Sequence, residues 1–141
     1  MSNCPFCRIA AGELSAEIIY QDADVLAFLD AHPLADGHAL VIPKSHVERL
    51  ADLPEELAGP LFAAAAKVSG AQQSILGATG ITLGVNDGRV AGQAVPHLHI
   101  HLVPRHASDG GGNLHTMLRP GAPHSSDTSR RLRTQLTTAG R

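Results

Sequence analysis

The spacing of hydrophobic and polar positions predicts five short β-strands. Alternating or short continuous apolar segments bounded by Gly, Pro or Asp are typical of strands. Proline is tolerated at strand ends, where its missing N–H interrupts no sheet hydrogen bond. The predicted strands cover residues 18–21, 25–30, 38–43, 81–86 and 96–104.

Between the third and fourth strands, apolar residues recur at helical spacing from Glu55 to about Leu76. Gly59 and Pro60 predict that the first turns of this helix are separate or kinked. A short basic helix is predicted over residues 129–136. Because the strands occur in runs around one main helix, the predicted fold class is α+β, with an antiparallel five-stranded sheet, one main helix and a short C-terminal helix.

Length and composition exclude several classes of protein. The chain has 141 residues, of which 43% are hydrophobic and 17% charged, and this fits one globular domain. No apolar run approaches the ~18 residues of a membrane span and no signal peptide is evident, so we expect a cytoplasmic protein that binds no membrane. A net charge of −2, with three Phe, one Tyr and no Trp, argues against binding duplex nucleic acid or stacking single strands.

Three of the nine histidines, His97, His99 and His101, alternate with apolar residues in the fifth predicted strand. Since side chains alternate between the faces of a strand, the three imidazoles should share one face. A solvated strand face is one interpretation, although the regular alternation disfavours it. A metal centre is another, but the spacing of ~6.6 Å between successive rings suits two ligands better than three. In the third, one histidine is a nucleophile or base and another orients it or contacts the substrate.

The two cysteines, Cys4 and Cys7, form a C-x-x-C pair. In a chain without an export signal, this spacing indicates metal binding or redox chemistry before a structural disulfide.

Taken together, these segments resemble the histidine triad (HIT) family of nucleotide hydrolases and transferases. The resemblance is carried by His-Leu-His-Ile-His-Leu-Val, which follows Gly92-Gln93, and by four further segments in the family's order. These segments are residues 4–9, 25–30, 37–46 and 85–86. The resemblance implies a HIT-like domain over residues 1–105 and a homodimer with its sheets paired edge to edge. A C-terminal extension, residues 106–141, is expected to pack on the domain or on the dimer partner.

The resemblance implies that His99 attacks the α-phosphate of a nucleotide and that water then cleaves the nucleotidyl-histidine. His101, Gln93 and the backbone of residues 92–94 would contact the phosphate. The expected substrate is a purine nucleotide conjugate, such as a nucleoside phosphoramidate, an aminoacyl adenylate or a dinucleoside polyphosphate. A nucleotidyltransferase and a non-catalytic nucleotide-binding or interaction module are the alternatives.

The nucleotide contacts follow from the same resemblance. Asp30 would bind the ribose hydroxyls, Asn86 would lie near the phosphate or ribose, and Gly92 would allow close approach of the backbone. His38 would support the site, or would equally be a hydrogen-bonded histidine of the sheet. Where many relatives carry Ser or Thr, this chain has Ala94, which cannot protonate a leaving group. The expected apolar slot for the base consists of Phe6, Ile9, Leu29 and Ala31.

Zinc-bearing members of the family imply a structural zinc ion held by Cys4, Cys7, His46 and His97, and no organic cofactor. This site would fasten the N-terminal segment to the histidine segment. A thioredoxin-like redox pair is the alternative, although the βαβ context of that motif is absent from the predicted order of elements.

Overall fold

The structure is a computed structural model that describes residues 3–139. Its five strands form one antiparallel sheet in the order β1-β2-β3-β5-β4. In chain order the helices and strands are α1 (Pro5–Ala10), β1 (Ile18–Gln21), β2 (Val25–Leu29), β3 (Ala39–Pro43), α2 (Glu55–Leu76), β4 (Gly80–Gly84), β5 (Ile100–Arg105) and α3 (Thr128–Ala139). The predicted α+β class, with its main helix and C-terminal helix, is confirmed.

The sheet has a different partner on each face. Its first face packs on α2 through alternate residues of β2, β3 and β5, and its second face packs on α1 through the intervening residues of β2 and β3. The first core contains Val25, Ala27, Ala39, Val41, Leu61, Ala64, Ala65, Val68, Leu98, Ile100 and Leu102. The second contains Cys4, Phe6, Ile9, Leu26, Phe28, Leu40 and Ile42. Burial of this apolar surface holds both helices, because the hydrophobic effect scales with the area removed from water.

The main helix has the predicted bounds. Its first turns, predicted to be separate or kinked at Gly59 and Pro60, are not separate, because α2 is continuous through both residues. Pro60 cannot donate to the carbonyl of Glu56. That position is exposed, so water can hydrate the carbonyl. Gly59 also lacks the Cβ that would clash with the proline ring.

The fifth strand is shorter than predicted. It begins at Ile100, so His97 and His99 lie before it. Residues 95–97, predicted as strand from residue 96, form a tight turn in which the His97 N–H donates to Val95 O at 2.8 Å. The alternation of faces nevertheless holds, because the apolar residues at 98, 100 and 102 all belong to the α2-side core.

The C-terminal helix runs from Thr128 to Ala139 and is longer than predicted. The chain divides into two compact units between Asp109 and Gly110, and the second contains the short 3₁₀ helix Leu114–Thr116 and α3. The predicted packing of residues 106–141 on the domain or on a partner stays a prediction. Within residues 3–139, no helix has the length and apolar character needed to cross a membrane.

Candidate functional site

A cavity of about 900 Å³ opens on the α1 side of the sheet. Apart from Gln93 and His38, every residue predicted to be catalytic or nucleotide-binding lines it. These residues are Phe6, Ile9, Leu29, Asp30, Ala31, Asn86, Gly92, Ala94, His99 and His101. The fold therefore brings distant parts of the chain to one concave surface, the usual form of a small-molecule site.

The ring of His99 is buried and fixed by one backbone contact. Its Nδ1 lies 2.7 Å from the carbonyl oxygen of His97. A carbonyl oxygen only accepts hydrogen bonds, so Nδ1 carries the proton and Nε2 of the neutral ring has a lone pair. This tautomer gives His99 the nitrogen that a nucleophile or a general base requires.

The tautomer of His101 is set by a chain of hydrogen bonds. The Leu34 N–H donates to His38 Nδ1 at 3.1 Å, so the neutral His38 ring carries its proton on Nε2. His38 Nε2 lies 3.0 Å from His101 Nδ1 and 3.5 Å from Asp30 Oδ2. His101 Nδ1 therefore accepts, and its own N–H is on Nε2.

Burial keeps this pair of rings neutral. The pKa of His101 is lowered to about 4, first by desolvation and then by the neighbouring His99 and His38, while Asp30 opposes the shift. Desolvation also lowers the pKa of His38, again against the opposing effect of Asp30. At neutral pH, His101 is thus an uncharged N–H donor at the cavity wall.

Asp30 lies just after β2, where it is tied to the sheet and to the next turn. Its backbone N–H donates to the carbonyl of His38 at 2.9 Å, and its Oδ1 accepts from the His32 N–H at 2.9 Å. Its side chain is 20% exposed. The carboxylate is therefore held in place with lone pairs still open to a ligand in the cavity.

The apolar wall of the cavity comes from α1 and β2. The Phe6 ring makes edge-to-face contacts with Phe28, at 5.3 Å between centroids, and with His99, at 5.1 Å. Ile9 lies on the same helix and is also buried. An aromatic ring against an imidazole both shields the imidazole from water and limits its rotation.

The loop between β4 and β5 bends at Gly88 and Gly92, whose φ angles are +98° and +101°. These angles lie in the left-handed region that favours glycine. A Cβ on Gly92 would also come within 3.8 Å of the Asn86 side chain. The φ angle of Gly92 therefore favours glycine, and the approach of its backbone to a ligand beside Asn86 stays a prediction.

Gln93 is placed differently from the other predicted phosphate ligands. Its Oε1 accepts from the Gly88 N–H at 2.7 Å, and its Nε2 donates to the carbonyls of Glu48 and Val95 at 2.8 and 3.2 Å. Its side chain is buried outside the cavity lining, because backbone groups of an irregular loop need hydrogen-bond partners. The structure assigns it to holding the loop, and its contact with phosphate stays a prediction.

Several lining residues escaped the sequence analysis, among them the polar residues Ser15, Glu17 and His32. His32 had one usable signal, its position two residues after Asp30 at a strand end. No motif marks Ser15 or Glu17, which line the cavity because the segment after α1 lies beside β2, where the Leu29 N–H donates to the Glu17 carbonyl at 3.0 Å.

A second cluster contains Cys4, Cys7, His46 and His97, whose potential ligand atoms all lie within 4.8 Å of one another. Cys4 Sγ is 3.3 Å from His97 Nδ1, and Cys7 Sγ is 3.3 Å from His46 Nδ1. His97 Nε2 donates to Pro43 O at 2.8 Å, so the lone pair on Nδ1 faces the sulfur atoms. This donor set, two sulfurs and two imidazoles, fits a tetrahedral metal ion and could hold one.

The burial of His97 also suits a metal ligand. Desolvation lowers its pKa, while the hydrogen bond to Pro43 opposes that shift. A metal ligand must be the neutral imidazole, so this environment favours the form that binds a metal.

Comparisons with known proteins agree with this arrangement. The family model described as "HIT domain" matches residues 11–108. A crystal structure of a HIT family member from Bacillus subtilis superposes with a TM-score of 0.83 at 34% identity, covering 97% of this chain and 96% of that one. A Zn-bound histidine triad family protein from Mycobacterium smegmatis superposes with a TM-score of 0.72 at 35% identity, covering 98% and 96%.

A functionally named relative is the adenylylsulfatase HINT3 of Arabidopsis thaliana, which is 36% identical over 108 residues, or 77% of this chain and 55% of that protein. An α+β fold in which an antiparallel sheet carries alternating histidines beside a cavity is typical of HIT domains. The chain belongs to the histidine triad (HIT) family, which includes hydrolases. The resemblance stated from the sequence is confirmed. The matched region begins after α1, so the cysteine pair lies outside it.

Proposed function

We propose that this protein hydrolyses a purine nucleotide conjugate at its α-phosphorus through a nucleotidyl intermediate on His99. The observation that carries the proposal is the 2.7 Å contact between His99 Nδ1 and His97 O. This contact leaves Nε2 as an unprotonated nitrogen on a ring that lines the cavity. The HIT family relative named as an adenylylsulfatase supports a hydrolytic role.

In the first step, the Nε2 lone pair of His99 attacks phosphorus and the bond to the leaving group breaks with its electron pair. The His97 carbonyl stabilises the positive ring that results, because it accepts the remaining N–H. His101 donates its Nε2–H to a phosphate oxygen. In the second step, water attacks phosphorus and loses a proton to solvent, while the bond between phosphorus and Nε2 breaks and its electron pair returns to the ring. The nucleoside monophosphate is released and His99 is neutral again.

The other cavity residues bind the nucleotide. The Asp30 carboxylate accepts hydrogen bonds from the ribose hydroxyls, and Asn86 lies near the ribose or phosphate. The backbone at Gly92 approaches the phosphate, while Gln93 holds this loop in place. The base lies against Phe6, Ile9, Leu29 and Ala31, which offer few polar groups, so we expect modest discrimination between purines.

Zinc is the metal we propose for the cluster of Cys4, Cys7, His46 and His97. All four ligand positions come from the protein, so the ion would act on the fold and would supply no step of the reaction. We also propose a homodimer. The outer strands β1 and β4 each have an unpaired edge within the described sheet, and such an edge can extend the sheet of a second copy.

Turnover and trapping together test this function. The protein is incubated with adenosine phosphoramidate, diadenosine polyphosphate and adenylyl sulfate, and release of adenosine monophosphate is measured. Rapid quenching and mass spectrometry should find one nucleotidyl group on the peptide that carries His99. Release without any adduct on this peptide contradicts the mechanism, and no release from any substrate favours a binding module. Transfer of the nucleotidyl group to an added phosphate acceptor favours the transferase alternative.

A further inference from the structure

We propose that the metal cluster and the nucleotide cavity are coupled through α1, with Phe6 as the positioning residue between them. Metal and nucleotide would then raise each other's affinity. This inference rests on the proposed nucleotide-binding function and adds that the bound metal regulates nucleotide affinity. Its basis is that α1 supplies residues to both sites.

The metal side of α1 contains both cysteines. Cys4 is the N-cap residue of the helix, where its Sγ accepts from the Cys7 N–H, and Cys7 lies within the helix. Their partners, His46 and His97, come from the segment after β3 and the segment before β5. An ion held by all four residues would fasten α1 to two distant parts of the chain.

The cavity side of α1 contains Phe6 and Ile9. Phe6 lies between the two cysteines in sequence and is 8% exposed. Its ring is 5.9 Å from the ring of His97, in the metal cluster, and 5.1 Å from the ring of His99, in the cavity. Displacement of α1 would thus move the wall against which both the base and His99 lie.

The described contacts between α1 and the sheet are made by side chains. The backbone hydrogen bonds described for residues 4–14 all run within that segment, and none joins α1 to the sheet. Apart from the cysteine–histidine contacts, the helix packs on the sheet through the second apolar core. Side-chain packing resists sliding of a one-and-a-half-turn helix less than bonds to an ion do, so metal binding should order this wall.

The four cluster residues do not line the cavity, so metal acts on nucleotide affinity indirectly. The His97 carbonyl reaches only the ring of His99, whereas α1 reaches the wall against which the base lies. A nucleotide that binds the metal-free protein has to order the helix itself, whereas one that binds the loaded protein finds it already ordered. Thermodynamic linkage then requires that nucleotide tighten metal binding by the same factor.

The first test uses the full-length protein, loaded with zinc or stripped by a chelator, and measures binding of adenosine monophosphate by calorimetry. We expect zinc to tighten this binding by about fivefold or more, the lower end of measured coupling between sites. Zinc affinity, measured by competition with a chromophoric chelator, should rise by the same factor when the nucleotide is saturating. Equal nucleotide affinity in both forms overturns the coupling alone. Nucleotide binding to neither form overturns both the proposed function and the coupling.

A second test identifies the role of Phe6. Phe6→Leu keeps apolar volume but removes the ring contacts, so the zinc-loaded variant should bind zinc yet gain little zinc affinity from the nucleotide. Phe62→Leu is the matched control, because Phe62 belongs to α2 and is 53% exposed. Full coupling in Phe6→Leu contradicts the assignment of this residue.

Hydrogen exchange gives a readout that is independent of both affinities. The amides of residues 6–14 should exchange more slowly on zinc binding, and added nucleotide should protect them further only in the stripped protein or in His46→Ala. His106→Ala is the control for loss of an exposed histidine outside the cluster. Exchange at residues 6–14 that is unchanged by zinc contradicts the proposal.

Discussion

His99 and His97 are related through the backbone, because the Nδ1–H of His99 donates to the carbonyl oxygen of His97 at 2.7 Å. His97 therefore has two roles. Its side chain faces the two cysteines, and its main-chain carbonyl sets the tautomer of His99, the proposed nucleophile. A shift of His97 would disturb both.

His99→Ala should reduce turnover by about 10³-fold or more, the scale seen when a catalytic nucleophile is removed. Binding of adenosine monophosphate should persist, since the substitution removes no proposed ribose or base contact. The comparison is single-turnover hydrolysis alongside calorimetric binding, with the exposed His106→Ala as control. Turnover close to that of the original protein would falsify the assignment.

His101→Ala should be less damaging, with a loss of about 10²–10³-fold in kcat, because it removes a hydrogen-bond donor to the developing charge and not the attacking atom. The intermediate should still form. If quenched samples of His101→Ala show no nucleotidyl adduct while those of His99→Ala do, the two roles are reversed.

His38 should act through His101, whose Nδ1 lies 3.0 Å from His38 Nε2. His38→Leu should lower kcat and leave KM almost unchanged, because His101 would lose the partner that sets its tautomer. His38→Gln keeps an N–H donor and should recover part of the rate. Equal rates in the leucine and glutamine variants would show that His38 only fills space.

The melting temperature should fall as pH drops from about 6.5 towards about 4. The pKa of His101 is lowered from 6.5 to about 4 by burial first and neighbouring histidines second. Within this interval the unfolded chain binds a proton that the folded chain does not, so acid favours unfolding. Stability from the neutral ring is therefore complete above pH 6.5 and is lost as the pH approaches 4. Scanning fluorimetry across this range should show a shallower slope for His101→Gln than for His106→Gln.

Purified protein should contain about one zinc ion per chain, and Cys4→Ser with Cys7→Ser should lower its melting temperature by roughly 5–15 °C, because a bound ion stabilises the folded state by linkage. Elemental analysis and calorimetry measure the two effects. The kcat at low temperature should be largely retained, with KM raised. Immediate loss of kcat on chelation, without unfolding, would instead indicate a catalytic metal.

Ala94→Ser should speed cleavage of alkylamine phosphoramidates more than cleavage of aryl phosphate esters. Ala94 lines the cavity, and a hydroxyl there could pass a proton to a departing amine, an effect worth at most about 10²-fold for a weakly placed group. The measurement is the ratio of kcat/KM for the two substrates in each protein. Ala91→Ser is the control, because Ala91 is exposed in the same loop and is not among the lining residues. An unchanged ratio in Ala94→Ser means that residue 94 does not face the leaving group.

Local patterns determined much of the fold from sequence alone. The bounds of α2 follow from helical spacing over 22 residues, and the succession of five strands along the chain follows from alternation and turn residues. The triad histidines and the C-x-x-C pair were identified as candidates because their residue types and spacing carry chemistry. Such signals lie within a few neighbouring residues, so they can be found without knowing the tertiary structure.

Tertiary structure alone decided how the candidates work together. The contact of His38 with His101 spans 63 residues, and that of Cys4 with His97 spans 93. Gln93 faces backbone carbonyls and not the cavity because two loops meet beside it. The helix α1 escaped the sequence analysis because six residues are too few for a clear periodicity, and it is held by contacts with distant strands. Hydrogen-bond direction and burial, which fix tautomers and pKa values, exist only once these distant segments meet.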